Sequence, residues 1–324
     1  MGYSPHCFAS GFDWLPALCN GLNQHPVHSR RWVRPSRLMD TPADSSSGVV
    51  ATPTFVNIAG YCFVDFDDWK EWRAPLQELC HNHGIKGTVL LSVNGINFFL
   101  AGNESAVKEY IRFIEKDERF RDIPLKVSHS TYQPFRRMLV RLKKEIISLG
   151  MDDIKPAEST GERISPTEFK QMLDNGEEVI VLDTRNDYET RVGKFENAVE
   201  LDITTFRQFP AAASELPEEY RNKTIVMYCT GGIRCEKASA VMINQGFSDV
   251  RQLDGGILGY FEECGGTHWE GDCFVFDKRV SLSDDLEEGD FVLCFNCRNP
   301  LSLEEQQSEQ YVIEKHCPYC IEGI

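Results

Sequence analysis

Five apolar and β-branched residues, Thr224–Tyr228, run directly into Cys229-Thr230-Gly231-Gly232-Ile233-Arg234, and a helical stretch follows over 235–245. A strand that is apolar on both faces must be covered on both faces. That places it in a parallel sheet with helices on either side. The run at 179–182 repeats the pattern, and 250–253 adds a shorter strand before Gly255-Gly256. Ser165-Pro166 opens a further helix that ends at Asp174-Asn175-Gly176. Residues 161–265 are therefore expected to form an α/β domain.

A loop between such a strand and its helix lies at the carboxyl edge of the sheet, where α/β proteins place their chemistry. Cys229 opens this loop. The two glycines permit tight curvature, so that backbone N–H groups turn toward the sulfur. The next helix points its positive end there, and Arg234 adds a full charge. All three favour thiolate over thiol, which predicts a nucleophilic Cys229 with Arg234 as its electrostatic partner. The same donors suit an anionic persulfide. A small buried cysteine closing a strand is the plainer reading, but strand, glycine turn, helix and arginine together argue against it. Cys235, in the first helical turn, is either a resolving thiol or a packed one. Asp183 and Arg185, at the end of a buried strand, are expected to shape the active edge rather than transfer protons.

Residues 54–148 have a different rhythm. Strand signals at 54–64, 85–93, 96–101 and 125–130 alternate with helices at 69–83 and about 104–116. Asn94-Gly95 forms a hairpin turn, and Asn103 caps the second helix. The order β-α-β-β-α-β is that of a ferredoxin-like α+β domain. A strand-like arm over 135–147 follows. Arg119, Arg121, Lys126, Arg136, Arg137, Arg141, Lys143 and Lys144 fall in one span opposed by Asp122, with Tyr132 and Phe135 interleaved. The chain as a whole carries a net charge of −16, so it has no general attraction for nucleic acid, and any RNA contact must come from a local basic patch. Arg136, Arg137, Arg141, Lys143 and Lys144 are the candidate RNA footprint. A solvated strand face balanced by distant acids is the alternative. Glu145 is expected to pair at the surface with Lys143 and Lys144.

Of twelve cysteines, five lie in the final 52 residues. Such clustering in a chain of this length points to metal and thiol chemistry, not to a disulfide scaffold. Cys294-x2-Cys297 and Cys317-x2-Cys320 are separated by 19 residues. Two such knuckles make a tetrahedral thiolate set suited to structural zinc, so 271–324 reads as a zinc-ribbon-like tail. Cys273 and His316 are possible neighbours. Cys80, His81 and His83 sit at a helix end, where histidine also suits the helix dipole.

Residues 1–50 carry Arg30, Arg31, Arg34 and Arg37 against Asp13, Asp40 and Asp44, with recurrent Pro and Ser and no sustained amphipathic period. They fit a transit peptide, giving a plastid or other organelle address, or a disordered leader, leaving the protein cytoplasmic. No stretch is apolar and long enough for a membrane span.

Cys-x4-Arg between strand and helix resembles the active loop of rhodanese domains. Asp183-Thr184-Arg185-Asn186-Asp187-Tyr188-Glu189 and Asp254-Gly255-Gly256 resemble their first and closing signatures. The longer string Cys229-Thr230-Gly231-Gly232-Ile233-Arg234-Cys235-Glu236-Lys237-Ala238-Ser239, with the segment from Phe274 to Val280, is similar to the tRNA uridine-34 hydroxylase family over about 55–324. The resemblance implies a rhodanese domain at 161–265 and oxygen-dependent 5-hydroxylation of the wobble uridine. It implies an anticodon stem-loop as partner, dioxygen as co-substrate and Cys229 as the reacting residue. No facial triad or dinucleotide fingerprint identifies a redox cofactor, which stays open together with any sulfur donor or thiol reductant. The loop equally suits a sulfurtransferase that passes persulfide sulfur to a thiol acceptor. A non-catalytic redox or scaffold module is a third reading.

Overall fold

The computed structural model describes residues 54–321. The leader expected at 1–50 lies outside the described residues. None of the helices described is long and apolar enough to cross a membrane.

The front of the chain builds β1 (Phe55–Phe63), α1 (Arg73–Asn82), β2 (Lys86–Ser92), β3 (Gly95–Gly102), α2 (Glu104–Ile114) and β4 (Lys126–Ser130). The arm contributes β5 (Met138–Leu142). The sheet order β4-β1-β3-β2-β5 is the ferredoxin-like order with one strand added. β5 pairs in parallel with β2, Gly87 opposite Met138, so the arm is a fifth strand and not a free extension. Asn103 caps α2 as expected, its side chain accepting from Ala106 N–H. α1 begins four residues later than the pattern suggests. Asp68, in the turn before it, accepts from Trp72 Nε1 at 3.1 Å and from Arg119 at 2.7 Å.

The central region contains β6 (Glu162–Ile164), α3 (Pro166–Asp174), β7 (Val179–Asp183), α4 (Asp187–Thr190), β8 (Gly193–Phe195) and α5 (Phe209–Ser214). It continues with β9 (Thr224–Tyr228), α6 (Ile233–Asn244), β10 (Asp249–Leu253) and α7 (Gly256–Cys264). Four strands form a parallel sheet in the order β6-β10-β9-β7. Side chains alternate between two cores, as a doubly covered sheet requires. Ile225 and Met227 pack with Cys235, Ala238 and Val241 on one face; Val226 and Tyr228 pack with Phe169, Ile257 and Tyr260 on the other.

The remaining segment forms short strands, β11 (Trp269–Gly271) through β15 (Pro300–Leu301), and one helical turn, α8 (Leu303–Gln306). The tail is fastened to the central domain by Arg191, whose guanidinium lies 4.1 Å from the Tyr319 ring centroid and donates to Asn299. The stretch from Phe274 to Val280 ties it to the front sheet, where buried Arg279 donates to Ser128 Oγ at 2.8 Å.

A candidate thiolate site roofed by the front domain

α6 starts at Ile233, two residues earlier than expected, because Gly232 turns the chain in the left-handed region at φ +96°. This turn aims Gly232 N–H at Cys229 Sγ, 3.1 Å away. The loop is pinned from behind by the N-terminus of α7, where Ile257 N–H and Leu258 N–H donate to the carbonyls of Cys229 and Thr230. That approach requires glycine at 256. A Cβ there would lie 2.3 Å from the Cys229 carbonyl oxygen, and φ is +63°. The closing signature thus acts through close backbone packing on the thiol loop.

Burial pushes the Cys229 thiol upward, but it is outweighed. A hydrogen bond from the Cys235 thiol, the Arg234 charge and the loop amides together hold Cys229 well below the ordinary thiol value. Cys235 moves the opposite way, raised by burial and by the neighbouring sulfur charge. Cys235 is fully buried and also contacts Thr184 Oγ1 at 3.7 Å. Its place in the site is that of a thiol donor to Cys229.

Glu189, named in the sequence only as part of a signature, proves central. Arg234 forms a buried two-pronged ion pair with it, at 2.5 and 2.7 Å. The guanidinium therefore shares its charge between Glu189 and the sulfur. Thr230 Oγ1 sits within 3.5 Å of both partners. Arg185 and Asp183 pair beneath the loop with no exposure, and Arg185 also donates to the Gly193 carbonyl. These two hold the sheet edge and do not face the cleft.

Cys229 is only 1% exposed, yet it lines a cleft of about 650 Å³. The opposite wall is the front sheet: Ala59, Tyr61, Asn97, Phe99 and Lys126. Arg141, Lys143 and Arg207 contribute basic side chains to the same cleft. Tyr61 reaches across to donate to Glu236 at 3.1 Å, and its hydroxyl would lie 2.9 Å from a Cβ on Gly232. The front domain is thus half of the thiol site. No spacing rule links Tyr61 or Lys126 to Cys229 in the sequence, and only the tertiary fold brings them together.

The basic run of 119–144 is not one surface. β4 and β5 occupy opposite edges of the sheet. Arg119 is consumed by Asp68 and Asp117, Arg121 pairs with Glu118, and Lys126 turns inward over the thiol loop. Arg136, Arg137, Arg141, Lys143 and Lys144 are exposed. Glu145 also corrects its expectation. It is buried, pairs with buried Lys237 of α6 at 2.6 Å, and accepts from Leu149 N–H and Gly150 N–H. The apolar residues that follow it draw the chain down onto the central domain, away from Lys143 and Lys144.

In the tail, Cys294, Cys297, Cys317 and Cys320 place their sulfurs within 4.8 Å of one another. The separations of 3.6 Å (Cys297–Cys317), 3.8 Å (Cys317–Cys320) and 3.9 Å (Cys294–Cys320) suit one metal. Tetrahedral thiolates at the zinc–sulfur bond length stand about 3.8 Å apart. At the other cysteine and histidine grouping, Cys80 turns into the front core while His81 and His83 are exposed, so no shared ligand set forms there.

A thiolate cradled between a parallel strand and its helix defines a rhodanese-type domain, here joined to a ferredoxin-like partner. The sequence pattern of the rhodanese-like domain matches residues 165–263, and that of the UPF0176 acylphosphatase-like domain matches 55–146. The tRNA uridine(34) hydroxylase of Cupriavidus necator is 49% identical over 271 residues, covering 82% of this chain and 96% of the relative. The protein of the same name from a Picosynechococcus strain is 42% identical over 272 residues, covering 83% and 91%. The chain belongs to the tRNA uridine(34) hydroxylase family.

Proposed function

We infer that this chain hydroxylates C5 of uridine 34 in tRNA, with Cys229 as the reacting nucleophile. The observation that carries the reading is the Cys229 sulfur, 3.1 Å from the Gly232 N–H, at the floor of a cleft whose far wall is a second domain. A target atom inside a stacked anticodon is out of reach of such a sulfur, so the nucleotide must swing out and enter. The cleft's volume suits one nucleobase and its sugar. This reading assigns exposed Arg141 and Lys143, which line the cleft, to the flanking phosphates of an anticodon stem-loop.

Dioxygen is the oxidant assigned by this reading, and a thiol reductant supplies the balancing electrons. The four tail cysteines hold zinc, whose closed ligand set gives it a structural role. A sulfurtransferase would share the anionic loop, but its small thiol substrates would not need the basic rim.

The test is nucleoside analysis of tRNA from cells that lack the endogenous activity and express this chain. Wild type restores 5-hydroxyuridine derivatives at position 34, and Cys229→Ser does not. Failure of the wild-type chain to restore the modification, with sulfur transfer to thiols by the purified protein, would replace hydroxylation by sulfur transfer.

A further inference from the structure

The side chain lying directly on the thiol loop comes from the front domain. The stem of Lys126, on β4, crosses Gly231: a Cβ there would be 3.3 Å from Lys126 Cε, 3.4 Å from Cδ and 3.8 Å from Nζ. Nζ stands 5.6 Å from the centroid of the Tyr61 ring and lines the cleft that Cys229 floors. Burial lowers its pKa to about 8, against the raising influence of Asp254, Cys229 and Glu262 and with the lowering influence of Arg163. At neutral pH it carries its charge, and in mild alkali it loses it.

We propose that Lys126 is a catalytic residue for the hydroxylation, its ammonium holding O4 of the uracil attacked by Cys229. The proposal rests on the preceding functional reading. In this step the Cys229 sulfur pair forms a bond to C6. The C5–C6 π bond breaks, and its electrons move through C4 to O4. The resulting enolate charge lies against the ammonium. The addition is redox-neutral and releases no group. It leaves C5 electron-rich toward dioxygen, one oxygen atom of which bonds to C5 while two electrons from the thiol reductant carry the other to water; sulfur then leaves C6 as thiolate as the C5 proton is lost, restoring the C5–C6 double bond. Asp254 and Glu262, across the loop, keep the ammonium charged before substrate enters. The front sheet therefore supplies the electrophilic half of the site, and the central domain supplies the nucleophilic half.

Single-turnover hydroxylation of unmodified tRNA by the purified full chain tests this across pH, with tRNA affinity measured separately. The wild-type rate should fall above about pH 8. Lys126→Met should lose about a hundredfold in rate with affinity changed less than about threefold. Lys126→Arg should keep measurable activity without the alkaline fall, because a guanidinium does not titrate there. A Lys126→Met enzyme as fast as wild type, or a Lys126→Arg enzyme with the same alkaline fall, overturns the proposal. Should Lys126→Met misfold, the Lys126→Arg profile alone decides. A wild-type protein that never hydroxylates uridine fails the functional reading itself, whereas active wild type with indifferent Lys126 variants fails this inference alone.

Discussion

Arg234 and Glu189 form the ion pair that holds the thiol loop to the body of the central domain, with both side chains buried and both guanidinium ends engaged. The first turn of α6 is thereby locked to α4. Removing the acid leaves a buried guanidinium with the Cys229 sulfur as its remaining counter-charge. Glu189→Ala should lower stability by about 3–5 kcal/mol in urea unfolding. Arg234→Ala should cost a similar amount and also raise the Cys229 pKa, which thiol-alkylation rates against pH would show.

The Glu145–Lys237 pair joins the end of the front domain's arm to α6. Burial alone would raise the Glu145 pKa, but the Lys237 ammonium and two backbone amides hold it lower. A depressed carboxyl contributes stability that is present above its unfolded pKa and lost as pH falls through the folded value. Lys237→Met should therefore flatten the acid limb of the stability curve below about pH 5. An acid limb identical to wild type would show that the pair does not couple to folding.

Metal in the tail should be structural. Chelation, or Cys294→Ser with Cys320→Ser, should release one zinc per chain and abolish amide protection around 292–320. The parallel sheet of the central domain should keep its protection, because none of its strands passes through the knuckle. Full metal content in the double variant would contradict the ligand assignment.

RNA binding should separate the two ends of the basic run. Alanine at Arg141 and Lys143 should weaken tRNA binding and reduce the salt slope by about 1.4, from about 0.7 per lost phosphate contact on a single-stranded loop. Arg119 and Arg121 are already paired with acids, so alanine there should leave the slope unchanged. Equal effects at both ends would make the binding surface a general basic field and not the cleft rim.

Both folds are legible in the sequence because their signals are local. The doubly apolar run at Thr224–Tyr228 and the Asn103 cap each act over a few residues, and so does the hairpin turn, although it falls at Val93-Asn94, one residue before the expected Asn94-Gly95, because Gly95 already pairs with Ser92 as the first residue of β3. The four tail cysteines are equally plain, since the spacing of each pair brings its sulfurs together. Long-range pairings are not local and were not legible. Glu145 reads as a surface acid beside two lysines until the fold seats it on Lys237, 92 residues away. Lys126 reads as part of a basic stripe, yet β4 carries it to the sheet edge that faces the thiol loop. Gly256 gives a signal through its signature, but its purpose, clearance for the Cys229 carbonyl, needs coordinates.

The account rests on an ionised Cys229 that reacts from within the cleft. The most direct measurement follows iodoacetamide modification of Cys229 by mass spectrometry across pH, with residual tRNA hydroxylation assayed in the same samples. The predicted result is a midpoint well on the acid side of neutrality, loss of hydroxylation in step with Cys229 modification, and protection by bound tRNA. A midpoint near the ordinary thiol value of about 8.5, or full hydroxylation by protein quantitatively modified at Cys229, would contradict it.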